Sequence, residues 1–137
     1  MGTITFTVSL KEVRPSDLSG FFVGWQTPPS PEKFLRLLTN SEYRVLALDG
    51  EKVVGFITAI TDKTLAAYIP FLEVLPEYQG RGIGQKLVKQ MLDLLSEYYM
   101  VDLLCDAELQ PFYEKLGMKK TAGMMVRNYA KQSGLDI

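Results

Sequence analysis

The sequence holds no histidine, one cysteine and one tryptophan in 137 residues. The missing histidine removes Ser-His-Asp and Cys-His nucleophile systems, histidine general bases and most zinc sites together, and no metal is expected. Proton transfer must then use carboxylate, tyrosine, cysteine, lysine, backbone or water. The lone Cys105 excludes an internal disulfide, and six methionines without a disulfide framework suit a reducing, cytoplasmic setting. Neither charge is in excess: 15 basic residues stand against 16 acidic ones, for a net charge of −1, which argues against a general nucleic-acid binder. No apolar run reaches membrane-spanning length, and residues 1–10 lack the basic start and long apolar stretch of a signal peptide. A soluble protein is expected.

What is present is an ordinary globular composition, 47% apolar and 23% charged, in a length that suits one domain over residues 1–137. The chain is organised around the stretch from Leu65 to Tyr98. It begins apolar and β-prone, breaks at Pro76, turns through Gln79-Gly80-Arg81-Gly82-Ile83-Gly84 and then becomes helical. Ile83, Leu87, Val88, Met91, Leu94 and Leu95 gather on one helical face, with Lys86, Lys89, Gln90, Asp93 and Glu97 on the other. A strand, a glycine turn and a helix N-terminus aim unpaired backbone N–H groups at one spot, which suits a phosphate or pyrophosphate. An ATP-type loop would need Lys-Ser/Thr after its last glycine, but Gly84 is followed by Gln85-Lys86. The dinucleotide fingerprint G-x-G-x-x-G is also not met, because the spacing here is G-x-G-x-G.

The spelling Gln79-x-x-Gly82-x-Gly84, preceded by Leu72-x-Val74-x-Pro76, resembles the acyl-coenzyme A loop of the GNAT N-acetyltransferases. Pro111-Phe112-Tyr113-Glu114-Lys115-Leu116-Gly117-Met118 resembles that family's other recurring segment, on its last helix. The resemblance covers nearly the whole chain and is clearest from Tyr43 to Met118. It implies an α/β (α+β) single-domain fold: a mixed, mostly antiparallel sheet of about seven strands, flanked by about four helices, with a splayed pair of parallel central strands.

Along the chain, Ile4, Phe6 and Val8 alternate with polar residues as a half-buried strand. Pro15-Ser16-Asp17 starts a short helix through Leu18 to Trp25, and Ser30-Pro31 caps a second with Phe34, Leu37 and Leu38 inward. Tyr43–Leu48, Val53–Thr61 and Leu65–Val74 form an antiparallel meander, with Pro70 interrupting the ladder of the third strand. Met100–Cys105 reads as a strand parallel to Leu65–Val74, Asp106–Leu116 as the last helix, regular only from near Gln110, and Met118–Thr121 with Gly123–Arg127 as a closing hairpin. Residues 128–137 read as a polar tail with little reason to order.

The resemblance implies acetyl-CoA as acyl donor, an amine as acceptor, and no nucleic acid or membrane partner; a homodimer is allowed. Backbone amides of Gly80, Arg81, Gly82, Ile83, Gly84 and Gln85 would wrap the pyrophosphate, with Gln79 opening the motif. The edge of Leu72-Glu73-Val74 would pair with the pantetheine arm. Tyr113 matches the tyrosine that protonates the departing thiolate, and a phenol of ordinary pKa about 10 carries that proton at neutral pH. Asp106 stands where many relatives carry a cofactor-touching asparagine, but an aspartate cannot donate the hydrogen bond. Glu73, pointing opposite to Leu72 and Val74, is the candidate general base; a strand carboxylate paired to a neighbouring cation is the alternative. Trp25, Tyr43 and Tyr129 are candidate acceptor-pocket aromatics, and Cys105 is read as packing on a buried strand. The expected activity is acetyl transfer to a primary amine of a small molecule or peptide by direct attack in a ternary complex. The other reading is a non-catalytic module that holds or senses acyl-CoA.

Overall fold

In the computed structural model, which describes residues 2–136, five strands form one sheet in the order β1-β2-β3-β4-β5. β1 (Ile4–Thr7), β2 (Tyr43–Asp49), β3 (Lys52–Thr61) and β4 (Ala66–Val74) pair antiparallel in sequence order. β5 (Met100–Asp102) lies parallel to β4 after the crossover helix α2 (Ile83–Leu94). α1 (Pro31–Asn40) and α3 (Gln110–Glu114) complete the α-helices among the described residues.

Two adjacent residues of β3 show how the layers stack. Phe56 packs edge-on to Phe34 of α1 at 4.7 Å between ring centres. A side chain on its neighbour Gly55 would instead meet Leu87 and Ile83 of α2 at 3.2 and 3.4 Å. Successive strand residues face opposite sides, so α1 and α2 cover opposite faces. Glycine at position 55 lets the start of α2 lie close over β3 and β4, which sets the height of the turn preceding that helix. The α2 face buries Ile83, Leu87, Val88 and Met91 as the spacing predicts, while Leu94 is exposed. On the α1 face the core is aromatic: Phe21, Phe22, Phe34 and Phe56 are buried and meet edge-to-face. Such pairs add about 0.5–1.5 kcal/mol each beyond the area they bury.

The meander and the parallel strand match the expectation, and so does the irregularity at Pro70. Thr58 pairs with Phe71 but Ile60 with Tyr68, so Ile69 and Pro70 together oppose one residue of β3. The parallel pairing is short: Ala66–Tyr68 of β4 meet Met100–Asp102 of β5, and from Ile69 onward β4 has no strand on that side. The parallel ladder ends there because β5 itself ends at Asp102.

Several expectations fail. The sheet has five strands and three α-helices among the described residues, not about seven and about four. In place of a helix from Leu18 to Trp25 there is a 3₁₀ turn, Pro15–Asp17, and then a loop in which Gly20, Phe22 and Gly24 all have positive φ. Left-handed residues cannot continue a right-handed helix. β5 ends at Asp102, leaving Cys105 half-buried beyond it, and β5 is an edge strand rather than a central one. Met118–Thr121 and Gly123–Arg127 form no hairpin. The last helix is regular only from Gln110, after a 3₁₀ turn over Ala107–Leu109, as Pro111 requires. The polar tail, contrary to expectation, docks on α1. Lys33 Nζ pairs with Asp136 at 2.8 Å, Arg36 donates to the Leu135 carbonyl, and Gln132 accepts from Thr27 N–H at 3.1 Å.

Candidate active site

Parallel strands end at the same side of a sheet, so the residues after β4 and those after β5 share one end. The glycine turn follows β4 there. Gly82 is the residue before α2 and sits left-handed, φ 78°, as does Gly80. An added Cβ at either would meet nothing within 4 Å, so open space lies over the turn. Among the described residues no side chain caps α2, and no acid stands in its first turn. This is a cradle whose fit to an anion does not depend on side chains.

Gly84 differs. Its φ is not positive, and a Cβ would lie 3.7 Å from both Phe112 Cζ and Val74 Cγ2, which is ordinary contact. It is the place where β4, α2 and α3 converge. The turn itself is braced by Tyr78, whose hydroxyl donates to Asp49 Oδ2 at 2.6 Å. That bond, with burial, holds the Tyr78 phenol above its usual pKa. The Arg81 guanidinium lies 5.7 Å from the centre of the Tyr78 ring. Gln79 Nε2 donates to the Val74 carbonyl at 3.0 Å, closing the turn onto the end of β4. The Tyr78–Asp49 brace has no signal in sequence, because it joins the turn to the β2–β3 hairpin.

Along β4, Leu75 N–H bonds Val54 of β3 and the Glu73 carbonyl faces Gly55. By alternation the N–H and C=O groups of Leu72 and Val74 face the other way, into the opening left by β5. An extended amide chain laid there could pair with them as an added strand. Side chains alternate as expected: Val74 packs toward Gly84, and Phe71 and Glu73 point to the α1 face.

Among the described residues, the salt bridges include none from Lys or Arg to Glu73. Its Oε1 accepts from Phe22 N–H at 2.8 Å and its Oε2 from Val23 N–H at 3.2 Å. Trp25, at the same loop, stacks on Phe22 at 4.8 Å and reaches Phe71 at 6.4 Å while staying partly exposed. Glu73 and Trp25 thus both contact Phe22 in this loop. Tyr43 lies elsewhere: its hydroxyl meets that of Tyr98 at 3.2 Å. Tyr129 is exposed in the tail.

Tyr113 projects from α3 into a cleft of about 1050 Å³ that runs from Tyr68 and Cys105 to the segment after α3. Its ring meets Phe112 at 4.9 Å. Burial, then the neighbouring Cys105 thiol, push its pKa up to about 12. Cys105 is itself raised, chiefly by burial. Asp106 is exposed and its side chain makes no capping bond. Among the described residues no cluster of three or more acids and cysteines could hold a metal, and no helix is long and apolar enough to cross a membrane.

A family model described as "Acetyltransferase (GNAT) family" matches residues 10–118. The chain belongs to the GNAT acetyltransferase family. Among solved structures, a provisionally assigned acetyltransferase of Deinococcus radiodurans R1 is 42% identical, with a TM-score of 0.95 over 98% of this chain and 94% of that one. A GNAT-family acetyltransferase of Streptococcus pneumoniae TIGR4 is 32% identical, with a TM-score of 0.75 over 92% and 98%. N-alpha-acetyltransferase 30 of Schizosaccharomyces pombe is 31% identical over 56% of this chain and 57% of its own length. The chain spans little more than half the length of the curated relatives it matches. Membership in the GNAT family implies acetyl transfer; it does not name the acceptor.

Proposed function

We propose that this protein is an acetyl-CoA-dependent N-acetyltransferase acting on a primary amine of a small molecule or peptide in a reducing, cytoplasmic compartment. The observation that carries the reading is the uncapped glycine turn at α2 beside the stretch of β4 past Tyr68, where the pairing with β5 has ended. The turn would hold the pyrophosphate through the amides of Gly80 to Gln85, and the Leu72 and Val74 edge would hold the pantetheine arm. Asp106, at the start of α3's approach, would contribute at most an accepting contact. The bound thioester supplies the acetyl group.

The chain's own residues supply the rest. The Tyr113 hydroxyl, with its pKa pushed up to about 12, keeps its proton at neutral pH and is the proton source for the leaving thiol. Glu73 is the carboxylate nearest in chain to the β4 edge. Each oxygen already accepts one backbone N–H and keeps a lone pair, so it can still take a proton from an incoming ammonium, directly or through water. Direct attack in a ternary complex is the path these placements favour, because no nucleophilic side chain is needed.

The test measures free thiol release from acetyl-CoA across a panel of amines. Amine-dependent release supports the proposal. Thermal stabilisation by acetyl-CoA without release for any amine would reduce the protein to a binding module, and stabilisation by ATP but not coenzyme A would remove the acyl-CoA reading.

A further inference from the structure

Trp25, the single tryptophan of the chain, sits on a loop with few fixed points. From Gly20 to Pro29 the backbone belongs to no helix or strand, and Gly20, Phe22 and Gly24 are left-handed. Pro28 and Pro29 have no N–H, so Thr27 is the last residue before the α1 cap, Ser30, that can donate a backbone hydrogen bond. Among the hydrogen bonds of the described residues, those reaching this stretch from elsewhere in the chain come at two places. Ahead of Trp25, Glu73 accepts from Phe22 and Val23. Behind it, Gln132 Oε1 accepts from Thr27 N–H at 3.1 Å and from the Thr27 hydroxyl at 3.4 Å.

Gln132 is set in place by its own surroundings. The tail turns on itself around it: Gln132 N–H bonds the Tyr129 carbonyl, and Gly134 N–H bonds the Lys131 carbonyl, with Gly134 left-handed at φ 91°. Past that turn, Lys33 Nζ donates to the Gly134 carbonyl at 3.2 Å and pairs with Asp136, while Arg36 donates to the Leu135 carbonyl. The Asp136 side chain is 96% exposed, so salt screens that ion pair and it contributes little. The hold falls instead on the two bonds to tail carbonyls and on Gln132. Lys33 and Arg36 stand three residues apart on α1 and so face the tail together. Pro28 and Pro29, each with φ fixed by its ring, link Thr27 stiffly to that same helix.

We propose that Gln132 is a positioning residue: through Thr27 it holds the far end of the loop whose near end Glu73 holds, and so keeps Trp25 against Phe22 and Phe71 for binding of the acceptor amine. With both anchors in place, Trp25 is fixed from either side. With Gln132 lost, it hangs from Glu73 alone, and the amine binds only the fraction of molecules whose loop is in place, which raises its apparent dissociation constant by that fraction. The glycine turn belongs to α2 on the other face of the sheet, so acetyl-CoA binding is unaffected. The kinetic half of the inference rests on the acyl-transfer reading; the placing of Trp25 does not.

Trp25 reports on itself, because no other tryptophan contributes to the emission. In the full chain without substrates, Gln132→Met should shift that emission to the red and raise its quenching by acrylamide, with far-UV circular dichroism unchanged. Lys33→Met removes both Nζ contacts to the tail, keeps the backbone N–H bond to Ser30 Oγ, and should do the same. Gln132→Glu keeps an accepting oxygen for Thr27 and should match the wild type. In amine-dependent thiol release, Gln132→Met should raise the amine KM by about 2- to 10-fold, the range one hydrogen bond is worth, with kcat and acetyl-CoA affinity held, and Gln132→Glu should restore it. Emission and quenching unchanged in Gln132→Met overturn the proposal, as does an unchanged amine KM or one raised equally by Gln132→Glu. If no amine supports thiol release, the acyl-transfer reading falls, and the quenching comparison alone decides whether Gln132 holds Trp25.

Discussion

The Glu73 carboxylate holds the backbone of Phe22, Oε1 to N–H at 2.8 Å, while its other oxygen holds Val23 at 3.2 Å. Phe22 carries φ 63°, a left-handed conformation that costs a non-glycine residue about 1–2 kcal/mol. A strand carboxylate, 51 residues away in sequence, therefore fixes a strained loop over the α1 face. The same loop carries Trp25. Glu73 thus holds the loop that carries Trp25, whatever part it takes in moving a proton.

Glu73→Gln turns one accepting oxygen into a donor that faces a backbone N–H. Hydrogen bonds to a charged group contribute about 1.5–3 kcal/mol, so a loss of that order is expected in denaturant unfolding. If Glu73 is also the base, turnover falls most at low pH, where the amine is protonated, with acetyl-CoA affinity unchanged. An altered amine KM with an unaltered pH–rate profile would leave Glu73 as a loop anchor alone.

Phe22→Gly sets strain against packing. Glycine relieves the left-handed backbone, but Phe22 is buried among Phe34, Phe56, Phe71 and Trp25. Removing a buried phenylalanine side chain costs about 3–5 kcal/mol, more than the strain returned. The variant should be less stable by about 1–4 kcal/mol. A variant as stable as wild type would mean the ring is not part of the core.

Gly82 and Gly84 should separate cleanly. Gly82→Val places a branched side chain at φ 78° in open space, straining the turn and covering its amides while the core is untouched. Thermal stabilisation by acetyl-CoA, about 2.7 kcal/mol at a hundredfold excess over Kd for a competent site, should vanish. Gly84→Ala meets only ordinary contacts and should leave stability level or raised by up to about 1 kcal/mol. Persistent stabilisation of Gly82→Val would move the phosphate site elsewhere.

Tyr113→Phe keeps the ring against Phe112 and removes one hydroxyl. Turnover should fall by about 10²- to 10⁴-fold, with acetyl-CoA affinity within a few fold, because the expected contacts are backbone ones. Wild-type turnover with chemistry limiting would leave Tyr113 as a packing residue.

The Tyr113 phenol also makes a prediction about pH. With its folded pKa raised to about 12 from 10.0, it favours the fold fully below pH 10. That contribution is lost as pH rises from 10 toward 12. An ultraviolet tyrosinate titration should lose one late-ionising group in Tyr113→Phe. A late phase of unchanged size in Tyr113→Phe would place the hydroxyl in open water.

What the amino-acid sequence determined by itself was local. The meander follows from alternation, the irregularity at Pro70 from a missing N–H, and α2 from its apolar spacing. The glycine turn was legible because a left-handed residue at Gly82 and an uncapped helix start are properties of neighbours in the chain. Tertiary structure decided the rest. The loop at Phe22 is left-handed because Glu73 and an aromatic core hold it, so local signals at Leu18 to Trp25 misled toward a helix. The Tyr78–Asp49 brace and the docking of Asp136 on Lys33 join residues remote in sequence. For residues 119–127, a strand-like pattern met no strand in its own sheet to pair with. A β pattern states only that a segment fits a sheet; the pairing depends on which edge the folded chain presents to it.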